Sequence, residues 1–314
     1  MNPKKRLGKG IEDISHLFLS GSTAVPAFNR MTAPARKFGQ PVNLKTKVWL
    51  TLSLVPRLPS AFFTANLAVE LARCGRQVLV IETAPSPALD KVFGTAQIQP
   101  SLNDLLEQPQ KQIVLDGPMG MKILSFRLCP DELRGFALEE QQILSQILRQ
   151  EEEKAQQILI HAVYEESPSF EKWVGLGQGV ILSVDLNAEM ILQTYGVCKY
   201  LYHLHPGLRV GLLGFGKQDK EEWAVCMNKL SDAVKRFLGK SLEWFGGIPE
   251  DPRIDRSIAA KVPLVLLDQT APTSVGFSMA AQNIQQETGV TPIQSTAAYS
   301  FFNGLKGTAD IAEG

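Results

Sequence analysis

The chain has 314 residues and a formal net charge of zero, with 44% hydrophobic and 20% charged residues. That is enough for one large α/β domain or two small ones, and the balanced charge gives no global drive toward nucleic acid or an anionic membrane. The four cysteines, Cys74, Cys129, Cys198 and Cys226, show no CxxC spacing and read as reduced, mostly buried thiols. His203 and His205 have no further ligands nearby, so no metal site is expected. No run approaches the about 18 apolar residues of a spanning helix. The basic start from Lys4 to Lys9 is followed by an apolar run too short for a signal-peptide core. A cytoplasmic location is the expectation.

Residues 1–44 mix glycine, serine, proline and basic residues and read as a flexible tail. Residues 10–19 within it differ: Ile11, Ile14, Leu17 and Phe18 share one helical face, a pattern suited to docking on the chain's own domain or on a protein partner. From Lys45 the pattern alternates. Val48–Leu54 reads as a buried strand, Phe62–Cys74 as a helix stopped by Gly75, and Val78–Ile81 as a second buried strand. That is a βαβ unit, with parallel strands and a right-handed crossover. Further strands are expected at Lys122–Phe126, Gln157–Ala162, Gly179–Val184, Leu208–Leu213 and Val262–Leu267. Helices are expected at Glu139–Gln157, Ala188–His203 and Lys220–Leu238. Together these predict a mostly parallel sheet with helices on both faces, spanning 45–285. Residues 286–314 read as a polar C-terminal tail with a small apolar cluster at Tyr299–Leu305. Only Lys306 is basic there, and Asp310 and Glu313 would repel anionic lipid, so it carries no strong membrane signal.

Several segments resemble the MinD/ParA superfamily of P-loop ATPases, of the FlhG/MinD-like kind. They are Ala65–Ala72 with Gly75–Ile81, Pro87–Gly94, Ser101–Leu106, Asp116–Leu124, Val184–Tyr202, Gly246–Asp255 and Lys261–Leu264. Each is unspecific alone; their order and spacing over about residues 46–285 carry the likeness. It implies a three-layer P-loop fold. It also implies a switch in which ATP held between two subunits recruits partners, so a homodimer or an active paralogous ATPase is a suitable partner. The processes it brings to mind are polar placement, flagellar or pilus assembly, and envelope polysaccharide export.

The departures from the family pattern decide the functional expectation. Its phosphate loop reads KGGVGKT, whose glycines let backbone N–H groups wrap phosphates, whose lysine reaches the β/γ-phosphates and whose threonine binds magnesium. The aligned residues here are Val55, Pro56, Arg57, Leu58, Pro59, Ser60 and Ala61. Val55 stands at the signature lysine, Ser60 at the phosphate lysine and Ala61 at the magnesium hydroxyl. Two prolines remove N–H donors, and no glycine remains. After the second strand, Glu82-Thr-Ala84 puts Ala84 where the resemblance implies a water-positioning acid, and His161 ends the strand where the Walker B aspartate is implied. Losing both charge neutralisation and metal anchoring predicts no ATP hydrolysis and no cofactor. The expected function is a catalytically inactive scaffold or regulator that binds protein partners.

Two other readings stay on the page. Arg57 would serve a sensor or enzyme that reuses the cleft for another small anionic ligand. Leu208–Gly216 is glycine-rich after a strand, as in NAD-dependent oxidoreductases, but the third fingerprint position falls on Asp219. A serine hydrolase is disfavoured, since no GxSxG turn occurs.

Overall fold

The computed structural model describes residues 46–83, 88–94, 114–124, 150–217 and 220–286. Ile11, Ile14, Leu17, Phe18, Ala84, Cys129, most of the Glu139–Gln157 helix and the C-terminal cluster lie outside them.

Eight strands form one sheet: β1 (Lys47–Ser53), β2 (Val78–Glu82), β3 (Val114–Asp116), β4 (Lys122–Leu124), β5 (Gln157–His161), β6 (Gly179–Asp185), β7 (Arg209–Gly216) and β8 (Glu243–Pro249). Their order is β3-β4-β2-β5-β1-β6-β7-β8. All neighbours run parallel except β3, which turns back antiparallel on β4. The helices are α1 (Ala61–Arg73), α2 (Leu89–Phe93), α3 (Pro168–Leu176), α4 (Ala188–Leu204), α5 (Lys220–Leu238), α6 (Arg253–Ala260), α7 (Leu264–Leu267) and α8 (Pro272–Gln286). The strands and helices expected from 48 to 81 and from 157 to 238 are present, with ends shifted by at most three residues.

Strand alternation explains the three layers. Leu50, Leu52, Ile158, Ile160, Leu182 and Leu212 point into one core, packed by α3, α4 and α5. Trp49, Leu159, Ile181, Leu213 and Phe215 point into the other, packed by α1, α7 and α8. A strand buried on both faces needs apolar residues at every position, which is why these runs are continuous rather than alternating. Cys198 and Cys226 are buried free thiols, and Cys74 is half-buried.

Two segments differ from the sequence reading. Val262–Leu267 is not a strand: Lys261 takes a left-handed turn, Pro263 leads into the single turn α7, and Leu264 and Val265 are buried. Polar partners make this possible, because the Val265 N–H donates to Asn66 Oδ1 at 3.1 Å and its carbonyl accepts from Arg73 at 2.9 Å. Conversely, Glu243–Pro249, where no strand is expected from the sequence, is the edge strand β8. Phe245 is the extra residue where the β7–β8 register shifts, and Gly246 beside it has φ 144°.

The glycines of 208–216 lie inside β7, which runs to Gly216 rather than stopping at Leu213. A Cβ on Gly211 would collide with the Phe245 ring, and one on Gly214 with Leu186 and Trp244. They make room for neighbouring side chains. Gly211→Ala is expected to cost about 1–3 kcal/mol through overpacking, read as a lower urea midpoint. Gly196→Ala, in α4 with open space around the new methyl, is expected to be stabilising by up to about 1 kcal/mol.

Candidate functional site

Parallel strands bring their carboxyl ends to one edge of the sheet, where open α/β proteins place their ligands. Here that edge is made by Ser53, Glu82, His161, Asp185, Gly216 and Pro249, together with the loop from β1 to α1. Two polar clusters occupy it.

The first joins residues far apart in sequence. Glu82 and His161 are register partners on the neighbouring strands β2 and β5, so their side chains rise on the same face. Glu82 Oε1 lies 2.6 Å from His161 Nδ1. His161 Nε2 lies 3.2 Å from Ser60 Oγ, at the head of α1. The other carboxylate oxygen of Glu82 accepts the N–H groups of Ala88 and Leu89 at 3.0 and 2.9 Å. Glu82 is therefore held as an acceptor, which assigns the proton to Nδ1 and leaves Nε2 to accept the Ser60 hydroxyl. His161 is fully buried and Glu82 nearly so. Burial pushes the Glu82 carboxyl up, but the hydrogen bond from His161 and the two backbone donors outweigh it, and its pKa falls below the ordinary value.

The second cluster centres on Arg57. Its guanidinium lies 3.3 Å from Asp185 at the end of β6 and 3.5 Å from Glu250 just after β8, and it stacks over the Phe215 ring at 4.9 Å. Burial raises the Asp185 pKa; Arg57 acts against that rise, while Glu250 adds to it. The charge that the sequence reading reserved for a small anionic ligand is engaged by two carboxylates.

Between these clusters the loop closes on itself. The Leu58 N–H donates to the Val55 carbonyl at 3.4 Å, the Phe62 N–H to the Pro59 carbonyl at 2.9 Å, and the Val55 N–H to Ser53 Oγ at 3.3 Å. Val55 is buried, Pro56 and Arg57 are exposed, and Leu58, Pro59 and Ser60 are half-buried ahead of the buried Ala61. Of the residues singled out beforehand, the structure brings Ser60 and His161 into contact. The sequence reading missed Glu82 as their partner, and Asp185 and Glu250 as partners of Arg57.

No family model matches the chain. It is 22% identical over 224 residues to the antiactivator FleN of Pseudomonas aeruginosa, covering 70% of this chain and 80% of that protein. Among solved structures, MinD of Aquifex aeolicus in the MinC:MinD complex superposes with a TM-score of 0.58 at 19% identity, covering 77% of this chain and 97% of that one. The MinD of Pyrococcus horikoshii complexed with Mg-ADP gives 0.57 at 19%, covering 78% and 98%.

The fold is that of the MinD/ParA ATPases.

Within the MinD/ParA fold, the described residues contain no group of three or more His, Cys, Asp or Glu able to hold a metal ion. No helix among them is long and apolar enough to cross a membrane.

The Glu82–His161 pair carries a pH signature. Because the folded pKa of Glu82 is lowered, its contribution to stability is complete above the unfolded value and is lost as pH falls through the folded one. Glu82→Gln is expected to lower stability at neutral pH and to flatten the loss of melting temperature on acidification below about pH 5. An unchanged acid limb would show that the pair does not stabilise the fold.

Proposed function

We propose that this chain is a MinD/ParA-fold protein that does not turn over ATP and acts as a protein-binding scaffold or regulator. The observation that carries the reading is the loop Val55–Ala61, where the family keeps its phosphate cradle. The residues present do not fit a magnesium nucleotide. No lysine stands in the loop, the N–H groups of Leu58 and Phe62 bond to loop carbonyls, and Pro56 and Pro59 have none. Arg57 is held by Asp185 and Glu250. His161, where Walker B chemistry calls for an acid, is joined to Ser60 and Glu82. An ATP triphosphate would have to displace both clusters while meeting Asp185 and Glu250, two carboxylates with no metal ligand set beside them.

A partner-binding role draws support from relatives. MinD is seen in a complex with MinC, and the FleN relative is named an antiactivator. The Ile11, Ile14, Leu17 and Phe18 face offers a short docking peptide. An active paralogous ATPase is the partner this reading favours, in polar placement, flagellar or pilus assembly, or envelope polysaccharide export, acting in the cytoplasm.

Calorimetry with ATP and ADP in the presence of magnesium tests the first half: no heat of binding is expected. A Kd tighter than about 100 µM, close to −5.5 kcal/mol, would overturn it. For the second half, capture of a MinD/ParA paralogue by the full chain is expected to weaken at least tenfold on deletion of residues 1–21. Equal capture by the truncated chain would remove the docking peptide from the account.

A further inference from the structure

The Ser60, His161 and Glu82 cluster has the connectivity of an acyl-transfer relay. In such relays a carboxylate orients a histidine, and the other ring nitrogen accepts a serine proton. They are recognised by geometry and roles rather than by sequence position. All the links are present: 2.6 Å from Glu82 Oε1 to His161 Nδ1, and 3.2 Å from His161 Nε2 to Ser60 Oγ. The carboxylate is fixed in turn by the Ala88 and Leu89 N–H groups. We propose that Ser60 is an activated nucleophile and that the carboxyl edge of the sheet is an acyl-transfer site.

Three features separate this cluster from an ordinary buried hydrogen-bond chain. A serine at the start of a helix usually turns its hydroxyl back to cap the first-turn N–H groups. Ser60 makes no such cap bond; its backbone is already helical (φ −54°, ψ −35°) and its hydroxyl goes to His161. Secondly, the serine is half-buried while the histidine behind it is fully buried, so water does not surround the base. Thirdly, Oγ sits at the amino end of a 13-residue helix, whose dipole favours the negative oxygen of a tetrahedral intermediate.

The surroundings indicate the substrate class. Pro56, Leu58 and Pro59, the residues of the loop around Arg57 and ahead of Ser60, are uncharged, with Pro56 exposed and Leu58 and Pro59 half-buried. Arg57, the cation of the same loop, is paired. An uncharged ester or thioester with an apolar acyl group fits better than an anion. In the step, the Ser60 Oγ–H proton passes to His161 Nε2 as the Oγ–carbon bond forms. The tetrahedral intermediate then collapses, the bond to the leaving alcohol or thiol breaks, and that group takes the proton from His161. Water attacks the acyl-serine by the same route in reverse. Glu82 stays ionised throughout and acts as a positioning residue.

The test uses the full chain and a fluorophosphonate probe, with the adduct located by peptide mass spectrometry. A single adduct on Ser60 is expected, absent in Ser60→Ala and at least about 100-fold slower in His161→Gln. Glu82→Gln is expected to slow labelling and to move the pH midpoint of the labelling rate, which a merely structural role would leave in place. Melting curves verify that each variant folds. A p-nitrophenyl acetate burst, lost in Ser60→Ala, supplies a second readout on the unmodified protein. No Ser60 adduct and no burst in folded protein would overturn the proposal, as would labelling equally fast in a folded His161→Gln variant. Neither result bears on nucleotide binding, so this proposal and the scaffold reading fail separately.

Discussion

The parallel ladder between β2 and β5 is the constraint on which the site depends. Its register sets Glu82 opposite His161, and the neighbouring β1–β5 ladder sets His161 opposite Thr51, whose hydroxyl meets Thr64 of α1 at 2.7 Å. One strand end is thus tied to two neighbours and to the helix that follows β1. A one-residue slip of β5 would turn His161 to the opposite face. The apolar residues beneath, Val80 and Leu159 on the α1 side and Leu79, Ile158 and Ile160 on the other, make such a slip costly. The core therefore specifies the polar edge.

That edge is paired from within, one arginine against two carboxylates and one carboxylate against a histidine. Arg57 between Asp185 and Glu250, and His161 between Glu82 and Ser60, leave the strand ends with internally paired groups. Exposed ion pairs such as those of Arg57 contribute at most about 1 kcal/mol each. Their importance is positional: they hold the β1–α1 loop down against β6 and β8. The buried Glu82–His161 bond matters more, since removing either partner would strand a polar group in a low-dielectric environment.

Much of the fold was legible in the residues. Continuous branched runs such as Val78–Ile81 have few alternatives to a doubly covered strand, and Phe62–Cys74 shows its helical face before Gly75 ends it. The misses have physical causes. Val262–Leu267 carries strand-like composition, but Asn66 and Arg73, about 200 residues away in sequence, satisfy its backbone as a helix. The strand through Gly246 and Gly247 carries no local apolar run, because the Trp223 ring, which fills the space over Gly247, comes from another element. Ser60 and His161 were both singled out, each as the replacement of something missing. Their partnership with Glu82 depends on strand order and register, which no local pattern encodes.

The account is tested most directly at His161. A long-range proton–nitrogen correlation spectrum of histidine-labelled protein, recorded with and without magnesium and ATP, reports which ring nitrogen holds the proton and whether nucleotide reaches it. The structure calls for a buried histidine protonated at Nδ1, with Nε2 accepting a hydrogen bond, and no change when nucleotide is added. A proton on Nε2 would contradict the pairing with Glu82, and a shift of that ring on adding nucleotide would contradict the view that this edge of the sheet no longer serves ATP.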